Sequence, residues 1–204
     1  GILLAGLMLL SQHFAYAEDP TGTVIDPFET NQDLTILITA PHTISSTLLD
    51  ASVIGGERDM ILTKTLGAQN DRIRLSSSSS SGGLIVSVDP STQGDAVVTW
   101  DGTDGDPTTL DTTGLNCTDL ATNPIYPFDG FNLLFIESDV EVQMTIEVYT
   151  GTNWSSAVFT TPSGIFTTNP PEAVFVPFSS FTTQGGSGAD FSCVGAIRIV
   201  YNAD

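Results

Sequence analysis

Basic side chains are scarce in this chain of 204 residues: five Lys and Arg stand against 24 Asp and Glu, a formal net charge of −19. A surface of that sign repels phosphate backbones, so nucleic acid is a poor partner. Four of the five cations, Arg58, Lys64, Arg72 and Arg74, fall close together, and the alternate spacing of Arg72 and Arg74 fits one solvated strand face. Histidine is equally rare, with two in the chain. Past the N-terminal segment only His42 remains, in what reads as a loop after a strand. No G-x-S-x-G elbow accompanies it, so nothing points to Ser-His-Asp catalysis and no catalytic residue is assigned. Lys, Gln and Arg, the polar helix formers, are few, whereas Ser, Thr, Gly, Asp and Asn abound, which favours strands joined by turns. The length suits a single domain with a full core.

Long apolar runs are missing too. The clearest, Ile2 to Leu10, is about half the roughly 20 residues a membrane-spanning helix needs, so no lasting transmembrane segment is expected. Followed by Ala15-Tyr16-Ala17 and then Glu18-Asp19-Pro20, it reads as the helix of a secretory signal peptide covering residues 1–17, with cleavage between Ala17 and Glu18. A retained N-terminal helix packed on the domain or on a neighbour is the alternative. The initiator Met and leading positive charges of such a signal do not precede Ile2, which predicts a natural start upstream. An anchor beyond Asp204 is left open. Residues 18–204 are then the exported domain, secreted or held at the cell surface.

Only two cysteines occur, Cys117 and Cys193, in neither a CxxC nor a metal-ligand spacing. In an oxidising compartment they are expected to form a disulfide. Two buried thiols would be the other outcome, detectable by a free-thiol assay on denatured protein.

What is present is alternation. In Asp139 to Tyr149, Val140, Val142, Met144, Ile146 and Val148 alternate with Glu141, Gln143, Thr145, Glu147 and Tyr149, as in a half-buried strand. Shorter patterns predict strands in Asp33–Ala40, Met60–Leu66, Arg72–Leu75, Leu84–Val88, Ala96–Trp100, Phe131–Ile136, Ala173–Pro177 and Val194–Tyr201. Turn residues such as Gly55-Gly56, Asp89-Pro90, Asp101-Gly102 and Gly185-Gly186 punctuate them, and the serine run Ser76–Ser81 reads as a strand end followed by a hairpin turn. Many short strands so divided predict an all-β, antiparallel β-sandwich. No repeat of 20 to 50 residues suggests a solenoid or propeller.

The C-terminal EAVFVPFSSFTTQGGSGADFSCVGAIRIVYNAD resembles the end of a galactose-binding-like jelly roll, and Ile25-Asp26-Pro27-Phe28-Glu29 is similar to its opening strand. The stretches SVIGGERDMILT and WDGTDGD resemble secreted bacterial surface proteins that carry a PEP-CTERM sorting tail. The Pro-Glu-Pro motif, apolar helix and basic cluster of that tail are not found here, so anchoring stays open. The resemblance implies a jelly-roll sandwich, an extracellular location, and a structural Ca²⁺ near the first strand, to which Asp26 and Glu29 would contribute.

Independently of any family, Asp101, Asp104 and Asp106 in DGTDGD offer closely spaced hard oxygen ligands on a Gly-rich turn, which suits Ca²⁺. The spacing is not that of an EF-hand, because the twelfth position holds Thr112. Paired carboxylates for glycoside hydrolysis could be drawn from Glu57 with Asp59 or Glu141 with Glu147, but in so acidic a chain such pairs arise by chance. A sugar-binding surface needs an exposed aromatic beside amides and carboxylates. Trp154, placed in a loop, and Tyr149, on the wet face of its strand with Glu147 and Gln143, meet that description, whereas Trp100 alternates with Ala96 and Val98 and belongs to the core. The expectation is a non-catalytic carbohydrate-binding or adhesive module for polysaccharide or another surface glycan. A structural subunit of a matrix, envelope or filament is the competing class, and a glycoside hydrolase the third.

Overall fold

A computed structural model describes residues 7–10, 24–78, 83–121, 130–135, 137–138, 142–161, 164–165 and 172–202. In chain order the strands are β1 (Leu7–Leu10), β2 (Val24–Asp26), β3 (Gln32–Ile36), β4 (His42–Leu49), β5 (Glu57–Leu66), β6 (Ile73–Ser78), β7 (Gly83–Val88) and β8 (Gln93–Trp100). Then follow β9 (Gly130–Phe135), β10 (Glu137–Ser138), β11 (Gln143–Thr150), β12 (Asn153–Thr160), β13 (Gly164–Ile165), β14 (Glu172–Pro177), β15 (Thr182–Gly185) and β16 (Ala196–Asn202). Among the described residues every pairing is antiparallel, as short turns between successive strands favour. One sheet, A, runs β14-β9-β1-β7-β6-β3 with β2 also on β1; the other, B, runs β15-β12-β11-β16-β8-β5-β4; β10 and β13 pair separately.

The core lies between sheets A and B. Leu34, Ile36, Ile73, Leu75, Leu84, Val86 and Leu133 come from A, and Met60, Leu62, Val98, Trp100, Ile146, Val148, Ile197 and Ile199 from B, all essentially buried. Trp100 is a core residue, as its alternation predicted. Two cations are also buried at the inner face of β5. Lys64 donates to the carbonyls of Ile38, Ala68 and Asp71 at 2.9, 2.7 and 2.7 Å. Arg58 crosses to Asp26 on β2 of the opposite sheet. Arg74, by contrast, pairs with Asp33 at the surface, but Arg72, read with it as one solvated strand face, precedes β6 and has its Nε buried, so only Arg74 occupies such a face.

Three local expectations are corrected. His42 begins strand β4 rather than sitting in a loop, and Trp154 lies on β12, directly opposite Tyr149 on β11. Both strands escape a periodicity reading for the same reason: the inward positions of β12 run Ser155, Ala157 and Phe159, only the last of them large and apolar, and β4 alternates half-buried with exposed positions, so neither shows a clear apolar stripe. The third concerns the expected signal helix. Leu7–Leu10 is a strand in sheet A, where antiparallel partners on both sides satisfy its backbone, while residues 1–6 and 11–17, including the expected cleavage site, lie outside the described residues. Glu141 also lies outside them. Among the described residues no helix is long and apolar enough to cross a membrane.

Cys117 and Cys193 form a disulfide across 76 residues, beside a bridge between Thr118 and Val194. On the chain-entropy account a loop of that length contributes on the order of 4 kcal/mol. Reduction is therefore expected to lower the urea midpoint, and equal midpoints with and without reductant would show that the closed loop contributes nothing.

Candidate metal centre

Glu57 and Asp59 stand two residues apart at the start of β5, so strand alternation turns both to the outer face of sheet B while Arg58 and Met60 point into the core. β8 runs antiparallel alongside, with Thr99 opposite Asp59. Extended by two residues, that register brings Asp101, just past the end of β8, beside Glu57. The chain then leaves the sheet and folds back over its outer face. Gly102 makes the return possible: it has φ +90°, and a Cβ there would lie 2.4 Å from the Gly114 carbonyl oxygen. The loop is held down by Glu57, whose Oε1 accepts the backbone N–H of Asp104 at 3.3 Å and of Gly105 at 3.0 Å.

As a result, one carboxylate oxygen from each of Glu57, Asp59 and Asp104 lies within 4.8 Å of the other two. Glu57 and Asp59 are 1% and 2% exposed, while Asp104 is open to solvent. Burial pushes the Asp59 carboxyl up to about 6, helped by repulsion from Glu57, Asp104 and Asp106, even though Thr47 donates to its Oδ1 at 2.6 Å. Burial likewise raises Asp101 to about 7, with repulsion from Asp59, Asp104 and Asp111 adding to it. Only one oxygen of Asp101 is satisfied, by the Asp111 N–H at 2.8 Å. Its Oδ1, and Oε2 of Glu57, are buried without a hydrogen-bond partner. Orphaned carboxylate oxygens in a dry site cost free energy that a cation would recover.

The donor set fits a hard cation. Oxygens that share one Ca²⁺ at 2.3–2.6 Å can be no more than about 5 Å apart, which the cluster satisfies; the shorter Mg²⁺ bonds require a tighter group. Of the three aspartates read from DGTDGD, Asp104 is in the cluster and Asp101 adjoins it. Asp106 is exposed and caps its own turn, accepting from the Thr108 N–H and hydroxyl at 3.0 and 2.7 Å, bonds that hold its carboxyl below the usual range. Glu57 and Asp59 had suggested themselves only as a catalytic pair; their part here depends on a loop more than 40 positions away in sequence.

Asp26 is engaged elsewhere. Its Oδ1 accepts from the Phe28 N–H at 2.7 Å and from Arg58 Nη1 at 2.9 Å, and its Oδ2 from the same Nη1 at 2.8 Å and from Trp100 Nε1 at 2.9 Å. With a guanidinium already on both oxygens, it is not placed to bind a cation with Glu29, which is exposed.

The aromatic candidates do come together. Tyr149 and Trp154 stack with ring centroids 5.4 Å apart and planes 13° from parallel. The Tyr149 hydroxyl donates to Glu147 Oε2 at 2.8 Å, and Arg198 Nε donates to the same oxygen at 2.6 Å. Tyr149 is 8% exposed, and burial together with the Glu147 bond pushes its hydroxyl up to about 12. Its ring face is thus covered by Trp154, which keeps part of its own surface free. Gln143 is exposed at the far end of β11, roughly 20 Å away at the usual strand rise, and does not join them. Beside the acidic cluster opens a cleft of about 380 Å³, lined by Gly55, Thr103, Asp111, Gly114, Asn116 and Thr118 among others. In comparisons with known proteins, no family model, no curated protein and no solved structure matches the chain.

Proposed function

We propose that the chain is a non-catalytic, exported or cell-surface sandwich module that binds Ca²⁺ through Glu57, Asp59 and Asp104 and contacts a surface glycan near that end of the fold. The observation that carries the reading is the largely buried acidic cluster, with an unpartnered oxygen on its member Glu57 and another on the adjoining Asp101. A bound cation would fasten the 101–116 loop to the sheet and so set the shape of the adjoining cleft. Carboxylate, amide and hydroxyl groups of Asp111, Asn116, Thr103 and Thr118 in that cleft suit a polyhydroxylated ligand, as does the free part of Trp154. The jelly-roll, galactose-binding-like character of the sandwich is part of the same proposal.

Raised carboxyl groups also serve glycosidases, whose two carboxylates stand about 5–9.5 Å apart across the scissile bond. Here one oxygen from each of Glu57, Asp59 and Asp104 lies within 4.8 Å of the other two, a threefold spacing that suits donors around one cation. A cation is the better occupant.

Calorimetric titration of chelator-treated protein with CaCl₂ is expected to give a single site with a Kd on the order of 10⁻⁴ M, in the range of extracellular calcium modules. Glu57→Gln should weaken it at least tenfold. Absence of binding by the unaltered protein would sink the cation reading. For the glycan, retention on insoluble polysaccharides should fall in Trp154→Ala or Asn116→Ala, and a protein retained by none of a broad panel is not a glycan-binding module.

A further inference from the structure

Strand β1, the first of the described strands, lies inside sheet A rather than at its edge. It pairs with β9 through four consecutive positions, Leu7 opposite Phe135 to Leu10 opposite Asn132. Its other edge is shared between β7, at Leu7 and Leu84, and β2, at Leu9 with Asp26 and Leu10 with Val24. Among the described residues β9 has no other link to β7, so four residues join the β14–β9 pair to the rest of sheet A. The strands lining this slot carry fully buried core residues: Phe131 and Leu133 on β9, Leu84 and Val86 on β7, and Ile25 on β2. Emptied, the slot would leave two rows of backbone N–H and C=O groups unpaired above that core, a ready template for another strand.

The geometry points to a strand-acceptor slot whose occupant can come from a second copy: Leu7–Leu10 of one chain completes sheet A of the next. Three features argue for a copy of this chain as the donor. The slot already holds this segment in a defined antiparallel register, which an identical strand reproduces in every hydrogen bond. The 13 residues between Leu10 and Val24 can extend up to about 45 Å, enough to deliver the strand to a neighbour as well as to fold it back. Exchange creates no contact that the monomer lacks, so the two arrangements differ mainly in the entropy of closing that connection, and concentration decides between them. Copies that each carry a net charge of −19 also repel one another, so added salt should favour the exchanged form. The exchange requires the N-terminal segment to remain on the exported protein, as a strand after it has acted as a targeting signal.

Met8 and Leu134 lie opposite one another in the β1–β9 register, and the described residues contain no free cysteine. Two differently tagged chains, one carrying Met8→Cys and the other Leu134→Cys, would be co-expressed and oxidised mildly. The expected result is a mixed disulfide dimer that needs both cysteines and increases with protein concentration and salt. A chain bearing both substitutions that cross-links only within itself at every concentration would overturn the exchange. So would an exported protein whose N-terminal sequence begins at Glu18. A third measurement does not depend on cysteine substitution: a chain started at Glu18 should melt well below the full chain, and equal melting temperatures would show that the slot needs no strand.

Discussion

Replacing Asp26 by alanine is expected to destabilise the protein by about 3–5 kcal/mol, which for a domain of this size lowers the melting temperature by roughly 10 °C. The magnitude follows from what is left behind. Every nitrogen of the Arg58 guanidinium has a partner: Nε donates to Gln32 Oε1 at 2.9 Å, Nη2 to the Thr30 carbonyl at 3.0 Å and to Ser77 Oγ at 2.7 Å, and Nη1 to the Asp26 carboxylate. Arg58 and Asp26 are both fully buried, and the guanidinium also sits 5.2 Å from the Phe28 ring centroid. Removing the carboxylate strands a charge between the sheets and frees the Trp100 indole N–H as well. Removing both charges is a different matter, because apolar residues of similar volume can replace a buried pair at little cost. The double variant Asp26→Leu with Arg58→Met should therefore recover most of the loss, and Trp100 fluorescence would report on the site in each variant. A single alanine variant that melts within a degree or two of the parent would show that the pair does not hold the sheets together.

That pair also marks where sequence reading stops. Alternation located β3, β5, β6, β7, β8, β9, β11, β14 and β16, because each places apolar side chains on one face at a period of two, and the antiparallel sandwich follows from the number of such strands and the turns between them. β4 and β12 gave no such stripe, so His42 and Trp154 were assigned to loops. Arg58 read only as one of four clustered cations, since nothing local shows that the β5 face carrying Met60 and Leu62 also carries the arginine inward to meet a carboxylate 32 positions earlier. The acidic centre was half legible. DGTDGD gave Asp101 and Asp104 through local spacing, but Glu57 and Asp59 joined them only once the β5–β8 register was known. Cys117 and Cys193 needed no register, because in a chain with two cysteines an oxidising compartment leaves one pairing.

The same centre sets the second large expectation, a stability that falls as pH rises when the protein is free of metal. Asp101 at about 7 and Asp59 at about 6 both lie above the ordinary unfolded value near 3.9. Between about pH 4 and pH 7 the folded chain then holds protons that the unfolded chain has released, so folding is favoured at the acid end of that window and loses the advantage as pH passes through the two raised values. One pKa unit corresponds to about 1.4 kcal/mol, and partial solvation of the loop reduces what is realised, so a loss on the order of 2 kcal/mol, or several degrees of melting temperature, is expected from pH 5 to pH 8. Below about pH 4 the sign reverses, because Asp50, Asp106, Asp111 and Asp190 are held below the usual carboxylate range by neighbouring Ser and Thr donors and lose those bonds on protonation. Calcium should remove the upper slope: a bound cation compensates the charges that protons would otherwise neutralise, so saturating Ca²⁺ raises the melting temperature at pH 8 far more than at pH 5. Repulsion across the whole acidic surface would also weaken the fold as pH rises, but it would respond to salt and survive a single substitution. Asp101→Asn separates the two, since it should flatten the metal-free profile in thermal melts at fixed ionic strength. A slope unchanged by both Asp101→Asn and calcium would place the pH dependence in the general surface charge and remove the acidic centre from the account.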